Sequence, residues 1–296
     1  YGQILLIGLL AAVSMPILAY FPETTAALGP PSWSLLIGAF LFGGSMQLAD
    51  GCGSGTCYKA GMGIPLNMAN FPLFVIGCFI GSVHLNSWVD LGAMEPVTLV
   101  SSRGLGSALT IMLAGLLVVA IGVRLWSGRG FRFDKGARHW LWGAIILAVF
   151  AALNLFVSGQ PWGIVYGFGL WGAKAATALG LFDPSTNAFW SDPGHAARLQ
   201  QSLLLDVTSI TSIGILLGAW WVAIKRPRAG RKHTAPQLLV SLAAAFVLGY
   251  SSRMAFGCNI GAMVGGISSG SLHGWLWVPM AFAGSALGLR LRARLG

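Results

Sequence analysis

Eight apolar runs, each near the length needed to cross a lipid bilayer, divide this chain. They lie at roughly 2–20, 33–49, 70–85, 106–125, 140–158, 203–224, 237–256 and 273–292. Charge scarcely interrupts them. Asp, Glu, Lys and Arg make up 9% of the 296 residues, against about 25% in a soluble domain. With 55% apolar residues and a mean hydropathy of +0.74, a water-soluble globule could not cover its own core. The fold class that remains is an all-α polytopic membrane protein, because a helix satisfies its own backbone hydrogen bonds in lipid. A membrane β-barrel would alternate over segments of about ten residues, and these runs are continuous.

Three other stretches, 50–69, 161–180 and 257–272, are apolar but rich in Gly. Basic residues gather in the connections instead. One group is Arg124, Arg129, Arg132, Lys135 and Arg138; a second is Lys225, Arg226, Arg228, Arg231 and Lys232; a third is Arg290, Arg292 and Arg294. The positive-inside rule places loops 124–138 and 225–236 and the C-terminus in the cytoplasm. Glu23, Asp90, Glu95, Asp183 and Asp192 fall in the other connections, which suits the outer side. The net charge of +10 therefore reads as an orientation signal, not as affinity for nucleic acid. Between the two basic loops there is room for two crossings, 140–158 and 203–224. The 161–180 stretch must then dip in from outside and return. The same count puts 50–69 on the cytoplasmic side and 257–272 on the outer side. Non-helical backbone at membrane depth needs protein or a polar cavity around it, so three such loops predict a path through the protein.

The chain also matches itself at a shift of 206 residues. Gly8 meets Gly214, Phe40 meets Phe246, Gly43 meets Gly249 and Ser45 meets Ser251. Ala49 meets Ala255, Gly51-Cys52 meets Gly257-Cys258, and Gly55 meets Gly261. After one residue of slip, Gly77 meets Gly284 and Gly81 meets Gly288. By the crossing count the copies, about 1–125 and 140–296, run in opposite directions within one transporter domain over 1–296. Such an inverted repeat places its site where broken segments converge near the midplane. The second copy is preceded by a span and a loop that the first copy lacks. A helix and a loop of roughly 40–50 residues are expected before Tyr1, giving nine spans.

The two matched loops read Gly51-Cys52-Gly-Ser-Gly55-Thr-Cys57-Tyr-Lys59 and Arg253-Met-Ala-Phe-Gly257-Cys258-Asn259-Ile-Gly261. Glycines permit sharp turns and close approach to a ligand. A following helix start offers free N–H groups to an anion. Cys52 and Cys258, at the same repeat position, are the leading candidates to handle a polarizable sulfur species. Cys57 is open between that role and packing, and Cys78, on a span, reads as a small hydrophobe. Lys59, Lys174 and Arg253 lie in or beside the three loops and favour an anion. Arg253 could instead be neutralised by Asp206. His273 could donate to an anion or cap its helix. Trp171 and Trp162 bracket the middle loop, lining a cavity or wedging the loop in place. Trp33, Trp140, Trp142, Trp275 and Trp277 read as interfacial anchors. No Walker A, HExxH, paired carboxylates or catalytic triad is present, and the scattered His and Cys give no metal site. No cofactor and no enzyme activity are expected.

The segment Leu48-Ala-Asp-Gly-Cys52-Gly-Ser-Gly-Thr-Cys-Tyr-Lys-Ala-Gly61 resembles the first cysteine loop of the YeeE/YedE family of bacterial thiosulfate carriers. Arg253-Met-Ala-Phe-Gly-Cys258-Asn-Ile-Gly-Ala, followed by Gly270-Ser-Leu-His-Gly-Trp275, is similar to its second. Pro161-Trp-Gly-Ile and Leu170-Trp-Gly-Ala-Lys174 resemble its intervening loop. The resemblance implies inner-membrane uptake of thiosulfate along a line of thiols, by transient S–H···S contacts. Cys52 would be a central relay and Cys258 a relay on the outer-side loop. It also implies, for some members, a cytoplasmic TusA-like sulfur carrier as partner. The family has a further cysteine in an N-terminal loop, upstream of this chain's start. Other readings are a different sulfur or selenium solute, a thiol oxidoreductase using a Cys52–Cys57 pair, or a structural subunit.

Overall fold

The structure, a computed structural model, describes residues 2–128, 135–225 and 233–294, with side chains from 139 onward in the helix that begins at Lys135. The basic segments 129–134 and 226–232, which carry much of the orientation signal, lie outside the described residues. Among the described residues there are thirteen α-helices. They are α1 (Gly2–Tyr20), α2 (Trp33–Leu48), α3 (Gly53–Gly61), α4 (Pro65–Val83), α5 (Leu85–Val89), α6 (Leu99–Arg103) and α7 (Leu105–Ser127). Then follow α8 (Lys135–Ser158), α9 (Val165–Ala178), α10 (Pro193–Gln200), α11 (Val207–Lys225), α12 (Ala235–Met254) and α13 (Leu272–Arg294). A π-helix, Asn259–Gly266, lies between the last two.

Among the described residues, seven helical stretches are long and apolar enough to cross a membrane: Gly2–Tyr20, Trp33–Gly61, Pro65–Val83, Leu105–Ser127, His139–Ser158, Val207–Lys225 and Ala235–Gly266. The eighth expected span corresponds to α13, whose 23 residues are long enough. It is not among the seven, since His273, Pro279 and its terminal arginines dilute the apolar run. The three Gly-rich stretches are more helical than their composition suggests. They hold α3, α9 and the π-helix. Gly costs about 1 kcal/mol in a helix relative to Ala, so packing rather than propensity holds these segments helical.

The chain forms two compact units, and each draws on segments far apart in sequence. The first comprises Tyr1–Gly29, Glu95–Trp162 and Ala262–Trp275. In it α1 packs against α7 and α8, with Ala11, Met15, Ala108, Met112 and Leu155 fully or nearly fully buried. Leu99 N–H donates to the Gly270 carbonyl (2.8 Å), and the Trp275 ring lies over Gly115.

The second comprises Pro30–Met94, Gly163–Gly261 and Leu276–Gly296, and contains all four cysteines. Its centre is built on glycines set against carbonyls. Gly77 of α4 lies against the Phe246 carbonyl of α12, and Gly249 of α12 lies against the Phe74 carbonyl of α4. Gly43 of α2 meets the Ala281 carbonyl of α13, and Gly284 of α13 meets the Phe40 carbonyl of α2. One turn on, Gly81 meets Tyr250, and Gly288 meets Gly44. The sequence shift of 206, then 207, converts each α4–α12 contact into an α2–α13 contact. A side chain at any of these positions would collide with backbone that cannot yield, so the glycines set how closely the helices approach.

Gly249→Ala should therefore destabilise the protein by about 1–3 kcal/mol through overpacking. Gly122→Ala, on a face with nothing within 4 Å, should be neutral or slightly stabilising. Thermal unfolding of both variants in detergent measures this, and equal melting points would contradict it.

Candidate functional site

Helices α2 and α12 end in the same way. Asp50 (φ +57°) and Phe256 (φ +54°) are the non-glycine residues with positive φ among those described. They are 206 residues apart. The Gly51 N–H donates back to the Met46 carbonyl (3.1 Å), and the Gly257 N–H to the Ser252 carbonyl (2.9 Å). These are the six-to-one bonds of a Schellman cap, made here around residues other than Gly. A left-handed L-residue costs about 1–2 kcal/mol, so each turn is held by its surroundings. Asn70 Nδ2 supports the first by donating to the Ala49 carbonyl (3.0 Å). Ser34 Oγ supports the second by donating to the Met254 carbonyl (2.9 Å).

Each turn delivers a cysteine to the start of a short helix. Cys52 is the N-cap of α3, and its sulfur accepts from the Gly55 N–H at 3.4 Å, with Ser54 Oγ at 3.3 Å. Cys258 precedes the π-helix, and the amides of Gly261 and Ile260 act on its sulfur. The loops adjoin. A Cβ on Gly53 would stand 3.6 Å from Cys258 Cβ and 2.9 Å from the Phe74 ring. Cys52 and Cys258 lie within electrostatic reach of each other, as Cys78 does of Cys258 and Arg253. All four thiols are free; Cys52 is half-buried, and Cys57, Cys78 and Cys258 are buried. An aromatic wall of Phe71, Phe74, Phe168 and Trp171, ring to ring at 5.2–6.5 Å, stands beside the first loop. Several buried polar atoms have no partner among the described residues: Thr56 Oγ1, both amide atoms of Asn67, and Asn259 Oδ1. Such atoms cost about 1–3 kcal/mol each and recover that on meeting a polar ligand.

The structure sorts the sequence candidates. Cys52, Cys258, Gly51, Gly55, Gly257, Asn259 and Gly261 come together at the adjoining loops. Gly261 has open space on its Cβ side, and Gly55 faces only the Cys52 sulfur. Cys57 points away, donating to the Ser212 carbonyl of α11 (3.7 Å). That direction also separates it from the sulfur of Cys52. Lys59 is bound to Asp50 (2.7 Å). Lys174 clamps the carbonyls of Leu199 and Gln201, at 2.5 and 2.6 Å, and so holds the segment before α11. Trp171 donates to Ser209 Oγ (2.8 Å), which is a wedge geometry. Arg253 and Asp206 do not neutralise each other. Asp206 pairs with Arg198 (3.7 Å) and caps α11 through the Ser209 N–H (2.8 Å). Arg253 donates to Ser82 Oγ (2.8 Å), and its guanidinium lies 5.6 Å from the Tyr166 ring centroid and 5.2 Å from that of Phe189. His273 belongs to the other unit, where it is buried at the start of α13 with Nδ1 2.7 Å from Ser271 Oγ. Cys78, Tyr166, Phe189 and Asp50 were not candidates. Cys78 had one legible signal: it is next to Gly77 on the stripe of small residues that faces α12.

A sequence profile described as sulphur transport matches residues 2–287. The chain belongs to the sulphur transport family. The thiosulfate transporter TsuA of Spirochaeta thermophila is 26% identical over 262 residues, which cover 81% of this chain and 72% of that protein. The probable transporter YedE of Escherichia coli is 24% identical over 152 residues, half of this chain and 36% of YedE. The YedE of Salmonella typhimurium matches with the same identity and coverage. The family is one of transporters, in keeping with the apolar helices and the absence of a catalytic motif in the sequence.

Burial orders the thiols. A small maleimide applied to native membranes should modify Cys52 first and reach Cys57 and Cys78 only after unfolding. Peptide mass spectrometry reads this directly, and modification of Cys57 as fast as Cys52 would contradict the placement of α3.

Proposed function

We propose that the protein takes thiosulfate into the cell, passing it from Cys258 to Cys52. The observation that carries this reading is the adjacency of two cysteine loops of one design, in a member of a sulphur transport family. The terminal sulfur of thiosulfate is a large, polarizable acceptor. A thiol S–H offers it a weak contact, strong enough to guide the ion and weak enough to let it go. Amides at the starts of α3 and the π-helix stabilise the negative charge without binding it as a fixed cation would. The partnerless atoms of Thr56, Asn67 and Asn259 offer further polar contacts beside the loops. Arg253, held by a hydroxyl and two aromatic faces rather than by a carboxylate, keeps its charge available to draw an anion in. The relative named a thiosulfate transporter supports the choice of substrate.

The membrane arrangement belongs to the same reading. The halves form an inverted repeat, the Cys258 loop opens outward and the Cys52 loop inward. The matching glycine contacts and the matching helix ends support the repeat, and the basic connections support the orientation. A TusA-like carrier would receive the sulfur species on the cytoplasmic side.

Cys52→Ala and Cys258→Ala should each lower thiosulfate uptake by about tenfold or more, with unchanged protein in the membrane. The assay is thiosulfate-dependent growth of a bacterium without its own importers, joined to labelled uptake. Full uptake by both variants would remove the relay, and uptake of labelled selenite or sulfite without uptake of thiosulfate would change the substrate. Arg253→Gln should raise the half-saturating concentration more than it lowers the maximal rate. Reporters fused at 130 and 229 should both read cytoplasm; an outside signal at either overturns the orientation.

A further inference from the structure

The two ends of the cysteine path are built differently, and the difference follows the repeat. Asp50 corresponds to Phe256, and Arg253 to Gln47. Beside the Cys258 loop there is a cation bound to a hydroxyl. Beside the Cys52 loop two cations converge on one carboxylate. Lys59 Nζ is 2.7 Å from Asp50 Oδ2, and Arg292 Nη2 is 3.1 Å from Asp50 Oδ1. Arg292 Nη1 also donates to the Gln47 carbonyl (3.1 Å). Asp50 and Arg292 line a cavity of about 320 Å³ with His233, Gln237 and Ser241. Asp50 stands two residues before Cys52, in a left-handed turn.

We infer that Lys59 and Arg292 form an inner site for a small oxyanion, filled at rest by the Asp50 carboxylate, which competes with the passing anion and speeds its release. This rests on the reading of Cys52 as part of an anion path. A carboxylate between two cations has the charge and donor demands of a small oxyanion, so the cation pair can serve either. The three side chains are a third to a half exposed (32%, 33% and 46%), and pairs this exposed to water exchange readily. The cavity reaches the site from the Asp50 and Arg292 side, with Lys59 outside its lining, and leaves room for a small hydrated ion beside the guanidinium. A site that holds its anion only as long as its own carboxylate stays displaced binds weakly, which suits the release end of a path. The Arg253 end has no such competitor among the described residues in contact with its cation and suits capture.

The test is calorimetric titration of the purified full chain in detergent with thiosulfate, sulfite, sulfate and selenite. Asp50→Asn removes the competing charge and keeps a side chain that tolerates the left-handed turn. It should bind the favoured anion about two- to fivefold more tightly and, in proteoliposomes, release it more slowly. Arg292→Gln should bind it more weakly. Unchanged or weaker binding by a folded Asp50→Asn overturns the inference. If that variant does not fold, Arg292→Gln decides: unchanged affinity overturns the site. A wild type that prefers sulfite or selenite overturns the substrate in the proposed function, and the Asp50 comparison is then read on that anion. A wild type that binds none of the four overturns both.

Discussion

In a bilayer no water meets an open N–H or C=O, and the rest of this structure follows from that constraint. Helices α2 and α12 both stop inside apolar runs. Their free carbonyls have to be met from within the chain. Backbone bonds from Gly51 and Gly257 do part of this, and Asn70 and Ser34 do the rest by reaching Ala49 and Met254. The left-handed residues Asp50 and Phe256 are the cost of turning so sharply. What they obtain is a cysteine placed at the start of the next short helix, with amides facing its sulfur.

Close helix approach makes that placement rigid. Four glycines, Gly43, Gly77, Gly249 and Gly284, let α2, α4, α12 and α13 pack backbone to backbone. Apolar burial drives little between helices in lipid, so van der Waals fit and backbone proximity carry the association. The glycines that hold the helices together also hold the loops adjacent, since Gly53 admits Cys258 beside it. Helix packing and the placement of the cysteine loops are thus one arrangement.

The charges break a pattern that the helix ends and glycine contacts otherwise repeat. Fixed cations along the path would trap an anion. Instead Lys174 is spent on carbonyls and Lys59 on a carboxylate, while Arg253 rests on a hydroxyl and aromatic rings. The groups around the two cysteines are thiols, amides and neutral polar atoms. Weak, repeated contacts of this kind suit passage better than storage.

Much of this was legible in the sequence. Continuous apolar runs forced an all-helical membrane fold, because lipid permits few other ways to satisfy a backbone. The spacing of Gly and Cys at a shift of 206 named the two loops, since close approach and a sharp turn each require particular residues at particular places. The tertiary structure alone decided what the charges do. The Asp50–Arg292 pair spans 242 residues and the Arg253–Ser82 bond 171, separations over which sequence pattern carries no pairing information. It also made helices of the Gly-rich stretches, where local propensity argued for loops and packing outweighed it. Residue types and their order set what chemistry was present; only the folded contacts set which of those groups were already engaged.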